Sequence, residues 1–156
     1  MKNLFLTILL GLGIYATAQA QNTRNVSQYN LEAGIALKGY DPVSYFAKGG
    51  SQPQMGQMQF KLNYMGATYM FATAQNLDLF VENPDKYEPT YGGWCAYAMA
   101  SGSKVDIQPT VFTINGNRIH FFVSKRAKRN FDNDLTSLEA QADQNWKQLS
   151  GEDPRL

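Results

Sequence analysis

The order of apolar and polar positions divides the chain into short segments with two different periods. Residues 58–63 (MQFKLN) and 67–72 (ATYMFA) alternate with period two around Met65-Gly66. Residues 111–114 and 118–123 do the same around Asn115-Gly116, a dipeptide suited to the left-handed positions of a tight hairpin turn. Both pairs predict β-hairpins. Between them Leu77, Phe80 and Val81 recur at helical spacing behind Thr73 as an N-cap, and Asn83-Pro84 ends that segment. Trp94 to Ala100 predicts a second central helix, stopped near Gly102. Ser124 predicts a cap for a helix over 125–131. Asp134 predicts the cap of a longer one whose stripe is Leu135, Leu138, Ala142, Trp146 and Leu149. Asp41-Pro42 reads as a helix start, with Asp41 at the N-cap and Pro42 at the first helical position, stopped by Gly49-Gly50. The pattern gives an α+β fold in one small domain, with two β-hairpins, a short central helical pair and C-terminal helices. Residues 21–37 read as a polar lead-in, with a short strand expected at 31–37. Residues 38–149 form the domain and 150–156 a frayed tail.

The first 20 residues have another character. Lys2 precedes an apolar run from Leu4 to Tyr15, too short to span a bilayer comfortably, and Ala18-Gln19-Ala20 is a small-x-small cleavage site. Residues 1–20 are therefore expected to be a signal peptide cut after Ala20, which places the mature chain in the periplasm or outside the cell. The 14 Lys and Arg less Lys2 leave 13, against 13 Asp and Glu. A neutral balance gives no electrostatic case for nucleic acid or, after cleavage, for a membrane surface as partner.

Export sharpens the meaning of Cys95, the chain's single cysteine, since it has no internal disulfide partner. It follows Gly92-Gly93-Trp94 at the expected start of a helix, where unpaired N–H groups and the helix dipole favour a thiolate. Two readings stand side by side: a small buried apolar residue, or a reactive thiol and metal ligand. His120, the one histidine, sits on the second hairpin; it is a candidate metal ligand, and paired with Cys95 it would make a nucleophile–base dyad. Met55 and Met58 form a Met-x-x-Met, with Met65 and Met70 downstream, and thioethers are soft ligands suited to Cu(I). The abundant aromatics suggest a pocket near Cys95 in which Trp94, Tyr91, Tyr45 and Asp41 would contact a small ligand. Lys125-Arg126-Ala127-Lys128-Arg129 is a basic run, read either as a solvated face or as a contact for an acidic partner or phosphate.

Four segments in order, residues 39–46 (GYDPVSYF), 65–72 (MGATYMFA), 80–87 (FVENPDKY) and 92–97 (GGWCAY), resemble the YHS domain family over roughly 38–149. The chain looks like the exported, stand-alone bacterial members. The resemblance implies a small α+β fold and a metal-handling role. Relatives place cysteines after Asp-Pro-Val and twice around the second strand–helix junction; this chain has Ser44, Ala72 and Asn76 there. A soft-metal thiolate cluster of that type is thus absent, and Cys95 remains. The expectation is an exported binding module that holds a soft metal ion such as copper, or a small ligand, near Cys95. A thiol-dependent enzyme or redox protein, and an interaction protein with a structural Cys95, are the alternatives.

Overall fold

The computed structural model describes residues 24–155, so the expected signal peptide lies outside the described residues. The two hairpins form as the alternation requires. Strands β1 (Leu31–Glu32), β2 (Ile35–Ala36), β3 (Gln57–Tyr64) and β4 (Ala67–Phe71) make one sheet in the order β1-β2-β4-β3. β3 and β4 pair antiparallel, with Leu62 opposite Tyr69. β2 meets β4 in parallel at Ile35 and Thr68. The 21–37 segment is thus more than a lead-in: it supplies two strands at one side of the sheet. Strands β5 (Gln108–Asn115) and β6 (Arg118–Phe122) form the second hairpin, a separate two-stranded sheet.

Helix α1 (Ala74–Glu82) starts where Thr73 Oγ1 accepts from the Asn76 N–H at 3.1 Å. Asn83-Pro84 ends it, but Pro84 also occupies the first turn of a further helix, α2 (Pro84–Tyr87). The second central helix is shorter than expected: α3 is one turn, Ala96–Met99. Ser124 caps α4 (Lys125–Asn133) by accepting from the Ala127 N–H at 3.2 Å. Helix α5 (Leu135–Ser150) buries Ala142 and Trp146, while Leu149 at the end of the stripe is exposed. Asp134 stands at its N-cap position without a side-chain capping bond. The expected helix at Asp41 is instead a run of turns ending in a 3-10 turn at Ala47–Gly49.

One aromatic-rich core joins both hairpins to the helices, with Tyr69, Phe71, Phe80, Phe121, Phe122, Phe131 and Trp146 all fully buried. Gly92 is packed tightly against this core. Its φ is +59°, and a Cβ there would lie 2.7 Å from Trp146 Cη2 and 2.9 Å from Tyr29 Cδ1, so a side chain has neither the conformation nor the space.

The tail is tied down rather than frayed. Arg155 Nη2 donates to Tyr29 Oη at 2.6 Å and to Glu152 at 2.7 Å, and Tyr29 Oη donates to Glu152 at 2.9 Å. Arg24 Nε and Arg155 Nε both donate to the buried Glu88 carboxylate, at 2.9 and 3.2 Å. Burial pulls Arg24 towards the neutral form, but Glu88 and Asp85 outweigh it and hold the guanidinium above its ordinary pKa. Both ends of the described chain thus meet on one carboxylate at the end of α2.

Candidate functional site

Asp41 lies at the centre of a saturated polar cluster. It is fully buried. Its Oδ1 accepts from the Val43 N–H at 2.8 Å, and its Oδ2 accepts from the Ala72 N–H at 2.8 Å and from Asn76 Nδ2 at 2.6 Å. Ser44 Oγ donates to the Asp41 carbonyl at 2.7 Å and accepts from the Gln54 N–H at 3.1 Å. Ser44, Ala72 and Asn76 are the three positions where the resemblance places cysteines; the fold brings Ala72 and Asn76 to the Asp41 carboxylate and Ser44 to its main-chain carbonyl. The sequence reading of Asp41 as a helix cap is corrected: it is a buried hub that ties a turn to the end of β4 and the start of α1. With both oxygens occupied by N–H donors, and a methyl group at residue 72, this donor set does not fit a soft metal.

A second donor set lies a short way along the same strands. The segment Gly39–Asp41 runs antiparallel to Gln54–Gly56, through Asp41 N–H to the Gln54 carbonyl (2.9 Å) and Gly56 N–H to the Gly39 carbonyl (2.8 Å). A Cβ at Gly39 would fill the space between Met70 Sδ, 3.4 Å away, and the Met55 methyl, 3.7 Å away. Two thioether side chains therefore converge over a residue with no side chain and a φ of +83°. Met55 is 56% exposed and Met58 65%, whereas Met70 is almost buried. Met70 brings its sulfur and Met55 its methyl to this space, and thioether sulfur is the donor type suited to a soft metal ion.

Cys95 takes neither role expected of a reactive thiol. It is 0% exposed, and it stands at the N-cap of a single helical turn rather than inside a helix. Its N–H donates to the Val105 carbonyl at 3.0 Å, its carbonyl accepts from Met99 N–H, and it bridges to Phe121 of β6. The free thiol is a buried core group, which fits the reading of Cys95 as a small apolar residue better than that of an open nucleophile. The aromatics expected around it are also committed elsewhere. Trp94 Nε1 donates to the Gln28 carbonyl at 2.6 Å, and Tyr45 packs edge-on against Phe112 and Phe121. Tyr91 Oη donates to Asp143 Oδ1 at 2.8 Å.

His120 is fully buried. It stacks on Tyr91, with centroids 5.5 Å apart, and leans on Phe131. Neither ring nitrogen makes a hydrogen bond among the described residues, and no bond joins it to Cys95, so the dyad is not formed. Its Nε2 stands 3.7 Å from Glu139 Oε1, an ion pair only when the imidazole is protonated. The His120 ring is the largest influence holding the Glu139 carboxyl below the usual range. Burial opposes it, and Asn115 and Arg118 add to it. Asn115 Nδ2 donates to Glu139 at 2.7 Å, and Arg118 pairs with both Glu139 and Asp143. Sequence reasoning missed this cluster because its members are spread over two strands and a helix. Arg118 and Glu139 carry no motif.

Among the described residues no three His, Cys, Asp or Glu side chains are grouped as a metal site, and no helix is long and apolar enough to cross a membrane. No curated protein and no solved structure matches the chain. The family model of the YHS domain matches residues 50–91, from the loop before β3 to Tyr91, just ahead of Gly92-Gly93. That span contains β3, β4, α1 and α2, with Ala72 and Asn76, and over it the chain matches the YHS domain.

Proposed function

We propose that the protein is an exported YHS-domain binding module that takes up a soft metal ion, Cu(I), on methionine thioethers. Met55 and Met70 would hold the ion, with the exposed Met58 close by in sequence. The observation that carries the reading is the convergence of the Met70 sulfur and the Met55 methyl on the space left by Gly39. Thioethers bind Cu(I) without deprotonation and survive where thiolates are oxidised, which suits a periplasmic or secreted chain. The signal-peptide pattern of residues 1–20 supports that location. Copper is cargo in this reading, and the chain's residues supply binding, not chemistry.

The test is an anaerobic Cu(I) titration of the mature protein against a competing chelator. Native protein is expected to bind one equivalent. Met55→Leu and Met70→Leu each weaken binding about tenfold or more, since Leu for Met conserves volume and removes only the sulfur. Cys95→Ala leaves the affinity unchanged. No binding by native protein, or binding lost in Cys95→Ala and kept in the methionine variants, overturns the proposal.

A further inference from the structure

Helix α4 places its charge against its own dipole. Lys125, Arg126 and Lys128 occupy its N-terminal half, and its first turn holds no acidic residue. Cations at that end are destabilising, because the first N–H groups already present positive charge. Lys125, Lys128 and Arg129, at i, i+3 and i+4, share one face, while Ala127 and Phe131 on another are buried in the core. The charged face borders β5 at a register break: Gln108 opposes Phe122 and Phe112 opposes Phe121, so residues 109–111 are extra. Between strand and helix an open groove of about 430 Å³ forms, lined by Thr110, Val111, Phe112, Lys125, Lys128 and Arg129.

Its chemistry is two-sided. Val111 is buried, and Phe112 is braced from behind by the Tyr45 ring at 4.9 Å, so the strand side is a firm apolar wall. The helix side is cationic. Lys128 pairs with Asp132, which also accepts from Thr113 Oγ1 at 2.7 Å. Lys125 and Arg129 have no carboxylate partner among the described residues, and no acidic side chain lines the groove. The volume suits a small molecule.

We infer that this groove is a binding site for a small anionic amphiphile, an aromatic or short-chain carboxylate. Its apolar body lies along Val111 and Phe112, and its carboxylate is held by Lys125 and Arg129. The anion relieves the unfavourable charge at the start of α4, and Arg129 offers the carboxylate a two-pronged donor. The site is separate from the Met55–Met70 gap and stands whether or not that gap binds metal.

The experiment is an amide NMR titration of the mature protein with naphthoate, with the neutral naphthalene carboxamide and inorganic phosphate in parallel. Naphthoate is expected to shift residues 110–112 and the first two turns of α4, and to bind at least about tenfold more tightly than either control. Lys125→Gln with Arg129→Gln brings naphthoate down to the level of the carboxamide; both side chains are exposed, so the fold is kept. Thr110→Trp, also at an exposed position, blocks the groove with charge intact and abolishes binding. The inference is overturned if naphthoate shifts other residues or none. It is overturned if the carboxamide matches naphthoate (an apolar surface only), or if phosphate does (a basic surface only). Stronger binding to phosphatidylglycerol vesicles than to naphthoate, lost in the double Gln variant, overturns it in favour of a membrane surface.

Discussion

Two buried carboxylates, Asp41 and Glu139, show how differently this fold treats an internal charge. Asp41 receives three N–H donors, all neutral: two from the backbone and one from Asn76. Glu139 faces Arg118, Asn115 and an imidazole whose nitrogens make no hydrogen bond. The first is saturated and local, built mostly from backbone groups that the turn and the end of β4 hold in place. The second depends on long side chains from β6 and α5, and it answers to pH. The positions where the resemblance to the YHS family places cysteines, Ser44, Ala72 and Asn76, all contact Asp41 at the saturated centre.

The largest effect is expected where the saturation is removed. Asp41→Ala strands three buried donors and should cost about 3–5 kcal/mol, measured by urea unfolding. A cost under about 1 kcal/mol would mean that the hub is not a structural centre. Glu139→Gln keeps the shape and removes the charge facing Arg118, and should cost about 1–2 kcal/mol. It also tests the pH response. A carboxyl held low in the folded state contributes stability that is fully present above the ordinary carboxylate range and is lost as the pH falls through the folded value. Native protein should therefore lose stability on acidification more steeply than Glu139→Gln, and parallel profiles would contradict the assignment. The smallest effect belongs to Cys95→Ala, a loss of about 1 kcal/mol from removing one buried sulfur. In the folded native protein Cys95 should resist alkylation from neutral to mildly alkaline pH, and fast labelling would show that the core opens there.

The fold was largely legible in the sequence, because alternation and capping act locally. Met65-Gly66 and Asn115-Gly116 set the hairpins, and Thr73 and Ser124 set two helix starts. What escaped was long-range. Asp41-Pro42 has the local signature of a helix start, yet the Asp41 side chain is drawn to Ala72 and Asn76, thirty-odd residues on, and the chain turns instead. The tail looked unbound because its partners, Tyr29 and Glu88, lie over sixty residues away. The same holds for the candidate site. Cys95 stood out by type and motif, while its burial is fixed by Val105 and Phe121 from other segments. Met55 was visible as a soft ligand, but its approach to Met70 over Gly39 is a property of strand pairing.

The central claim is that soft-metal binding rests on two thioethers and not on the thiol. Its most direct measurement is methyl NMR of methionine-labelled mature protein titrated with Ag(I), a redox-inert stand-in for Cu(I). The Met55 and Met70 methyl signals are expected to shift together and saturate at one equivalent. The Met99 signal, deep in the core beside Cys95, should stay in place. A shift of Met99, with Met55 and Met70 unmoved, would contradict it and return the site to Cys95.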